Sequence, residues 1–340
     1  MGEMSIGVVI PHRNHETLLP RAIDRLLVDE AAAPDSVVIV DDCSDAPARE
    51  IVRALAARSP KITLIELSEH KGVVGALNTG VEAVGTDLVH CSAADDTVDL
   101  RLLASAQEGF ALRPEAAIYS GRTRLISDVD DRDLGVIPSP SPFARNGWVS
   151  PEDARRTLMR RDGWIFGNSS VYRRDRLLEA GGFDPALSSF CDGYAQRYLA
   201  ARWGALFDEK AYGAWRRSDT GVAARTNLDP VFLLDVGECA AERFRANAPE
   251  IFPRGYAERW LRRWISGALC FQLDRGVSAG LRDPAIRRSV PALPLVLADT
   301  ARRLGPLGTS LAKLLIFAGL RPWDATSVAG ARLALRFRRG

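Results

Sequence analysis

The chain has 340 residues, of which 46% are hydrophobic and 26% charged, and its formal net charge is +2. These values are typical of a soluble globular protein with one large or two ordinary domains, and so small a charge gives no reason to expect nucleic-acid binding. Five scattered cysteines at positions 43, 91, 191, 239 and 270 form no CxxC pair or Cys/His cluster. This indicates reduced thiols in a reducing compartment and no zinc site.

The start of the chain predicts no secretory signal, because a strand pattern begins directly after Met4. No run of about 18 apolar residues occurs, so no transmembrane helix is expected. These features predict a cytoplasmic protein.

The first hundred residues alternate between strand and helix patterns. The predicted strands are residues 5–10, 37–40, 62–65 and 86–91. Helical patterns occur at 18–27, in a helix capped by Ser44 or Asp45 with Ile51, Val52 and Leu55 on its inner face, and at 72–84. Uniformly apolar strands separated by helices predict a parallel α/β sheet. The first strand is expected to stop at Pro11, which has no N–H for a ladder.

Polar residues follow three of these strands. They are Pro11 to Asn14 after the first, Asp41 and Asp42 after the second, and Asp95 and Asp96 after the fourth. Parallel sheets bind ligands outside the carboxyl ends of their strands. Adjacent carboxylates repel each other unless a cation lies between them, and a divalent ion completed by phosphate oxygens would satisfy such a pair. Taken singly, each cluster is also an ordinary turn or helix cap.

Three common nucleotide-site and hydrolase motifs are missing. No glycine occurs between Gly7 and Gly72, so the glycine-rich loop of a nicotinamide-binding Rossmann domain is absent. The sequence contains no Walker A motif and no G-x-S-x-G elbow. Any phosphate group would therefore need a metal rather than a glycine loop.

Four blocks of the sequence resemble the family 2 glycosyltransferases, which have the GT-A fold. In chain order they are V-V-I-P-H-R-N, V-I-V-D-D-C-S-D, H-K-G-V-V-G-A-L-N-T-G and A-A-D-D. Each block alone is a weak signal, whereas four in the same order and spacing are specific. The resemblance covers roughly residues 5 to 220.

The resemblance implies a nucleotide-sugar donor site. Its base and ribose would be surrounded by Pro11, His12, Arg13, Asn14, Asp41 and Asp42. Lys71 would lie near the donor, and Asp95 and Asp96 would bind Mn²⁺ or Mg²⁺ bridging its diphosphate, so that Asp95 also contributes to donor binding. Many members carry D-x-D-D, whereas this chain has Ala93 at the first position. The metal then depends on fewer carboxylates, and either Asp95 or Asp96 is the direct ligand.

The sequence also resembles the acceptor half of this family. A strand pattern near 163–172 is followed by R-R-x-x-L, by G-G-F-D at 181–184, and by Asp192 at a helix start. The resemblance implies that Asp192 is the catalytic base, and a carboxylate at a helix N-terminus is stabilised as the anion. The alternative for Asp192 is an ordinary helix cap. Asp184 is expected to be structural.

Three further positions in this half refine the prediction. Trp215 and Arg216 resemble a block that closes over the donor, and Arg216 or Arg217 is expected to balance the diphosphate. The alternative is a surface arginine. Ser218 replaces a histidine found in other members, which removes a third metal ligand. Leu199 replaces the glutamine of the processive Q-x-x-R-W motif, which indicates addition of a single sugar.

Other segments of the middle region are less informative. Residues 116–121 predict a strand, 149–159 a short helix, and 122–150 an irregular stretch that is either a loop over the site or plain surface. The four histidines are His12, His15, His70 and His90. None has zinc-ligand spacing, and only His12 is interpreted as a ligand contact.

The pattern becomes helical after about residue 225. The predicted helices are 231–244, 256–273, 295–304 and 307–318, and the last stretch mixes arginines with apolar residues. One interpretation is a basic amphipathic segment that lies on an anionic membrane. The other is a helical cap on the catalytic domain with a solvated basic face. A lipid-linked acceptor would suit the first interpretation.

These observations predict an α/β protein with the GT-A fold, in which helices flank a Rossmann-like, mainly parallel sheet and a helical C-terminal extension follows. The expected catalytic domain is 1–224, with a nucleotide-sugar half at about 1–100 and an acceptor half at about 101–224, and the helical region is 225–340.

The expected function is metal-dependent, inverting, non-processive transfer of a sugar to a hydroxyl of a glycan or lipid-linked acceptor, in bacterial surface polysaccharide synthesis. The expected location is the cytoplasm or the inner face of the plasma membrane. Two alternatives remain. The absent carboxylate at Ala93 favours a degenerate nucleotide-sugar-binding module without turnover. A sugar-phosphate nucleotidyltransferase shares the α/β half, but its glycine-rich, Arg-Lys-containing loop is missing here.

Overall fold

The computed structural model describes residues 4–29, 33–93, 97–127, 132–137, 143, 146–165, 167–217 and 222–324. The chain divides into two units, Met1–Arg155 with Gly163–Arg217 and Arg156–Asp162 with Ser218–Gly340. The described strands all lie in the first unit. Within the described residues, no helix is both long and apolar enough to cross a bilayer.

Ten strands of the described residues form one sheet. They are β1 (Ile6–His12), β2 (Ser36–Asp41), β3 (Ile62–Glu66), β4 (Leu88–Cys91), β5 (Thr97–Val98), β6 (Ile118–Ser127), β7 (Asp133–Ile137), β8 (Gly147–Val149), β9 (Ser170–Arg173) and β10 (Ala205–Arg217). Their order is β3-β2-β1-β4-β9-β6-β10-β5, with β7 beside β6 and β8 beside β10.

The first four strands form a purely parallel region, which confirms the prediction for the first hundred residues. Beyond β4 the sheet is mixed, because β9 runs antiparallel to both β4 and β6 while β6 and β10 are parallel. The carboxyl ends of β1, β2 and β4 therefore lie at one edge, called here the carboxyl edge.

Strand β1 extends past Pro11 to His12, so the predicted stop at Pro11 is wrong. The Val9 carbonyl accepts a hydrogen bond from Ser92 N, beyond the end of β4, and the β1–β4 register ends at Val9. The backbone nitrogen of Pro11, two residues further on, points to the same side of β1 as the Val9 carbonyl. Strand β4 has ended before it reaches this position. The missing N–H of Pro11 therefore costs no ladder bond, and His12 is carried in register with Asp41.

The segment 122–150 is not irregular throughout, which corrects the sequence interpretation. Strand β6 continues to Ser127, β7 pairs antiparallel with β6, and β8 pairs antiparallel with β10. The first three residues of β7 are exposed and include Gly135, whose φ is +108°. An exposed strand lacks the apolar alternation by which strands are recognised.

Helices cover the sheet of the first unit. They are α1 (Leu18–Leu27), α2 (Ala46–Ala56), α3 (Gly72–Ala83), α4 (Arg101–Leu112), α6 (Arg174–Glu179) and α7 (Cys191–Trp203), while α5 (Pro151–Arg160) crosses the unit boundary. Helix α3 packs closely because its small residues allow it. A Cβ added at Gly80 would lie 2.3 Å from Val9 Cγ1.

Asn78 of α3 binds the backbone of the segment after α6. Its Nδ2 donates to the Phe183 carbonyl at 2.8 Å, and the Phe183 N–H donates to Asn78 Oδ1 at 2.9 Å. Gly182 approaches with φ +74°, and a Cβ there would lie 2.8 Å from Asn78 Oδ1. This paired contact joins the H-K-G block to the G-G-F-D block.

The second unit is helical, as predicted. Its helices are α8 (Val222–Leu228), α9 (Pro230–Ala246), α10 (Tyr256–Asp274), α11 (Ala279–Arg282), α12 (Pro284–Ser289), α13 (Ala292–Ala301) and α14 (Gly305–Leu320). Its aromatic core centres on Phe244, whose ring lies 4.8–5.2 Å from those of Phe252, Tyr256 and Trp260.

Buried Arg263 ties residues 156–162 to this helical unit. Its guanidinium donates to the carbonyls of Leu158 and Met159 and to both carboxylate oxygens of Asp324. The buried charge is thus paired and its donors are satisfied, which a buried guanidinium requires.

Candidate functional site

A buried histidine–aspartate pair joins the carboxyl ends of β1 and β2. His12 Nδ1 donates to Asp41 Oδ1 at 2.9 Å, and the His15 N–H donates to His12 Nε2 at 3.2 Å. Both ring nitrogens are engaged, which requires the proton on Nδ1. The His12 side chain has no exposed surface. His12 is therefore a buried support of the carboxyl edge, whereas the next residues, Arg13 and Asn14, are exposed.

Asp41 is held as a carboxylate by its hydrogen bonds. Burial alone would raise its pKa, but hydrogen bonds from Ser44 and His12 outweigh burial and lower the pKa below its usual value. The Ser44 N–H donates to Asp41 Oδ2 at 3.2 Å. The negative charge at the end of β2 is therefore retained.

A second histidine–aspartate pair lies beside the first. His70 Nδ1 contacts Asp42 Oδ2 at 2.7 Å, and the Lys71 N–H donates to Asp42 Oδ1 at 2.7 Å. The Arg13 guanidinium in turn donates to His70 Nε2 at 2.8 Å. The His70 side chain is 50% exposed. The contacts thus link the first three sequence blocks at one edge.

Asn14 closes the loop after β1. Its side-chain amide donates to Asp45 Oδ2 at 3.0 Å and accepts from the Asp45 N–H at 2.9 Å, while its own N–H donates to Ser44 Oγ at 3.1 Å. Asn14 and Cys43 both adopt left-handed backbone, with φ of +56° and +58°. Such conformations are uncommon outside glycine and cluster at functional loops.

The proposed metal ligands, Asp95 and Asp96, lie outside the described residues, and so does the side chain of Arg216. Within the described residues no group of three or more His, Cys, Asp or Glu side chains could hold a metal. The carboxylates at the ends of β2 already accept hydrogen bonds from His12, His70 and backbone N–H groups.

Asp192 lies in the first turn of α7 and is partly exposed. Its Oδ1 accepts from the Gly193 N–H at 2.6 Å. Burial raises its pKa above the usual carboxyl value, despite the opposing effects of that hydrogen bond and of Arg197. The carboxylate approaches the backbone at Gly167, where an added Cβ would lie 2.2 Å from Asp192 Oδ2.

The surroundings of Asp192 supply little compensation for its charge. The pKa values of Tyr172, Cys91 and Cys191 are raised mainly by burial and secondly by the negative charge of Asp192. The Tyr172 hydroxyl accepts from Gln196 Nε2 at 2.9 Å. A carboxyl group whose pKa is raised by burial is a stronger base than an ordinary carboxylate and is suited to accept a proton.

Three supporting residues were missed in the sequence. Ser44 was interpreted only as a helix cap, His70 as a bystander, and Gly167 had no role. The position of His70 directly before Lys71 in the third block is a usable signal. The sequence gives no such signal for Gly167, because Gly167 and Asp192 are 25 positions apart in the chain.

The fold defines a class. The sheet with its flanking helices is the GT-A fold of glycosyltransferases, and solved structures of that class share it. A mannosyltransferase, PcManGT from Pyrobaculum calidifontis, solved with GDP-Man and Mn²⁺, has a TM-score of 0.56 at 19% identity, covering 94% of this chain and 86% of its own. TarS 1-349 of S. aureus with UDP-GlcNAc has a TM-score of 0.59 at 15% identity, covering 96% and 92%.

The sequence comparison gives the family. Residues 7–175 match the model for glycosyl transferase family 2, and the α/β unit of this chain belongs to that family. An uncharacterized glycosyltransferase, alr2836 of Nostoc sp. (strain PCC 7120), is 26% identical over 184 residues. The alignment covers 54% of this chain and 55% of that relative, so the chain spans about half its length.

Proposed function

We propose that this chain transfers one sugar from a nucleotide-sugar donor to an acceptor hydroxyl, with inversion at the anomeric carbon. The observation that carries the proposal is Asp192, a carboxyl group with a raised pKa held against Gly167 at the start of α7. Membership of family 2 supports the reaction class.

On the donor side, the carboxyl edge supplies polar groups in a fixed arrangement. We assign donor binding to Pro11, His12, Arg13, Asn14, Asp41, Asp42, Lys71, Asp95 and Arg216. His12 acts through Asp41, because its ring nitrogens are both engaged. Arg13 and Lys71 carry exposed positive groups suited to a diphosphate.

Asp95 and Asp96 are the residues proposed to hold a divalent metal, Mn²⁺ or Mg²⁺. Oxygen ligands of this kind suit such ions, which take their remaining ligands from phosphate and water. The bound ion would neutralise charge on the departing diphosphate. The solved neighbour that contains GDP-Man also contains Mn²⁺, which is consistent with this assignment.

In the transfer step, Asp192 accepts the proton of the acceptor hydroxyl. The acceptor oxygen bonds to the anomeric carbon as the bond to the phosphate oxygen breaks, and the nucleoside diphosphate leaves with that electron pair. Attack from the opposite face inverts the configuration. Proton transfer of this kind contributes about 10²–10⁴ in rate, and alignment of the reactants contributes further.

The acceptor is proposed to be a glycan or a lipid-linked sugar of bacterial surface polysaccharide synthesis, reached in the cytoplasm or at the inner membrane face. Non-processive addition follows from Leu199 in place of the processive glutamine. The related neighbours bind donors of two nucleotide classes, GDP-Man and UDP-GlcNAc, so the donor test must include several nucleotides.

The Asp96→Asn variant tests the donor and metal assignment. Binding of UDP, GDP, dTDP and CMP is measured by calorimetry with and without Mn²⁺. We expect one nucleotide to bind in the presence of metal, and Asp96→Asn to weaken it about tenfold or more. Asp99→Asn is the matched control, because Asp99 is three positions further along the chain and is paired with Arg101. If no nucleotide binds with metal present, the donor site is wrong. If one binds with metal but no donor is turned over, the binding-module alternative is favoured.

The Gly167→Ala variant tests the placement of Asp192. The added Cβ would lie 2.2 Å from Asp192 Oδ2 and push the carboxylate away, so kcat should fall about tenfold. The readout is release of nucleoside diphosphate from the donor found by binding. Gly267→Ala in α10 is the control, because an added Cβ there meets nothing within 4 Å. An unchanged kcat in Gly167→Ala would show that the contact has no role in turnover.

A further inference from the structure

Helices α13 and α14 carry an exposed apolar surface, called here the leucine face. Its residues are Leu293, Val296 and Leu297 of α13, Leu304 at the junction, and Leu307, Leu311 and Leu314 of α14. They recur at intervals of three or four, which places them on one side of each helix. The most exposed are Leu307 at 85% and Leu304 at 73%.

The opposite sides of the same helices are already used for packing. Leu295, Ala298, Ala312, Ile316 and Leu320 are buried in the second unit. Both helices are therefore apolar on two sides, although a surface helix of a soluble protein is normally polar on its outer side. An exposed apolar patch of this kind marks an interaction surface.

The charge around the leucine face is strongly positive. Residues 275–324, which the structure describes, contain eight Lys and Arg against three Asp, a net charge of +5 in a chain whose total is +2. Asp299 is the one acidic residue in 291–323, and it is largely buried and paired with Arg282 and Arg302. Arg303, directly before Leu304, also lies 3.5 Å from Asp299, but its side chain is 65% exposed.

We propose that the leucine face docks onto the surface of an anionic lipid bilayer. The leucines would enter the headgroup boundary while the surrounding arginines pair with lipid phosphates, a combination typical of interfacial helices. Charge complementarity selects this partner, because a second copy would bring an equally positive surface against the first. The inference concerns the second unit and does not depend on the donor site.

The test is cosedimentation of the full chain with vesicles. One set contains phosphatidylcholine only, and the other contains equal amounts of phosphatidylcholine and phosphatidylglycerol. The native chain should bind the anionic vesicles and lose binding as salt rises to about 0.5 M. The variant Leu304→Ser/Leu307→Ser/Leu311→Ser should lower the partition coefficient by about tenfold or more.

Two controls keep the outcome decisive. Val28→Ser/Leu112→Ser removes comparably exposed apolar residues from the first unit, and should leave vesicle binding unchanged. The single variant Leu307→Ser should show a smaller loss in the same direction, and far-UV circular dichroism reports whether each variant is folded. The proposal is overturned if the triple variant binds anionic vesicles like the native chain. It is also overturned if the triple variant dissociates a dimer, by analytical ultracentrifugation, without altering vesicle binding.

Discussion

Replacing Asp192 with Asn is expected to lower kcat by about 10²–10⁴-fold while leaving nucleotide affinity unchanged. The amide has nearly the same shape and can still accept from the Gly193 N–H, but it cannot take the acceptor proton. A loss confined to kcat separates a group that acts in the transition state from one that binds the ground state. The measurement is release of nucleoside diphosphate at saturating donor, together with calorimetric binding of the nucleotide.

The matched control for this variant is Asp184→Asn. Asp184 lies eight positions earlier and caps a turn by accepting from the Ala186 N–H, so its loss should cost at most about 1 kcal/mol of stability and no activity. The pH profile gives a second readout. Because burial raises the Asp192 pKa, native activity should rise with pH through a value above the ordinary carboxyl pKa, and Asp192→Asn should lose that limb. An Asp192→Asn enzyme with native kcat would exclude Asp192 as the base.

The parallel half of the fold was predictable because each of its strands can be recognised from a short stretch of sequence. A strand buried on both faces is a continuous apolar run, so β1 to β4 were visible in the sequence, and polar residues at their ends followed. Asn78 was visible only as part of a resembling block. Its role in binding Phe183 depends on a contact across 105 positions, which no periodicity encodes.

The acceptor half was less predictable because its strands are paired differently. Strand β9 is only four residues long and antiparallel to both neighbours, and β7 is largely exposed. The exposure of individual side chains at the site was equally hard to predict from the sequence. His12 and His70 both follow strand ends in the sequence, yet contacts with Asp41 and Asp42 make the first a buried support and the second half exposed. Burial of a particular side chain is set by tertiary packing.

His90 shows how such packing produces a pH dependence. It lies in β4 with no exposed surface, and its Nδ1 donates to the Ser170 carbonyl at 2.8 Å, while its Nε2 has no hydrogen-bond partner among the residues that the structure describes. Burial lowers its pKa from 6.5 to about 4. The unfolded chain therefore binds a proton more tightly than the folded chain between these two values. The contribution of neutral His90 to the free energy of unfolding is fully present above pH 6.5 and is lost as the pH falls toward 4.

The expected size of this loss is about 3 kcal/mol of unfolding free energy between pH 7 and pH 4. In His90→Asn the side-chain amide can still donate to the Ser170 carbonyl but does not titrate, so the fall should largely disappear, although the smaller side chain lowers stability at pH 7. Urea unfolding of both proteins across this range gives the difference. Asp192 acts in the opposite direction, since its raised pKa adds stability on acidification, but it is common to both proteins and cancels.

His15→Asn is the matched control, because it makes the same substitution at an exposed histidine. If His90→Asn and the native chain lose stability in parallel, then His90 is protonated in the folded state and the orphan Nε2 must have a partner. A stability difference between the two proteins that changes between pH 6.5 and pH 4 and is constant below pH 4 would instead establish a buried imidazole, uncharged at neutral pH, within the strand that leads to Asp95 and Asp96.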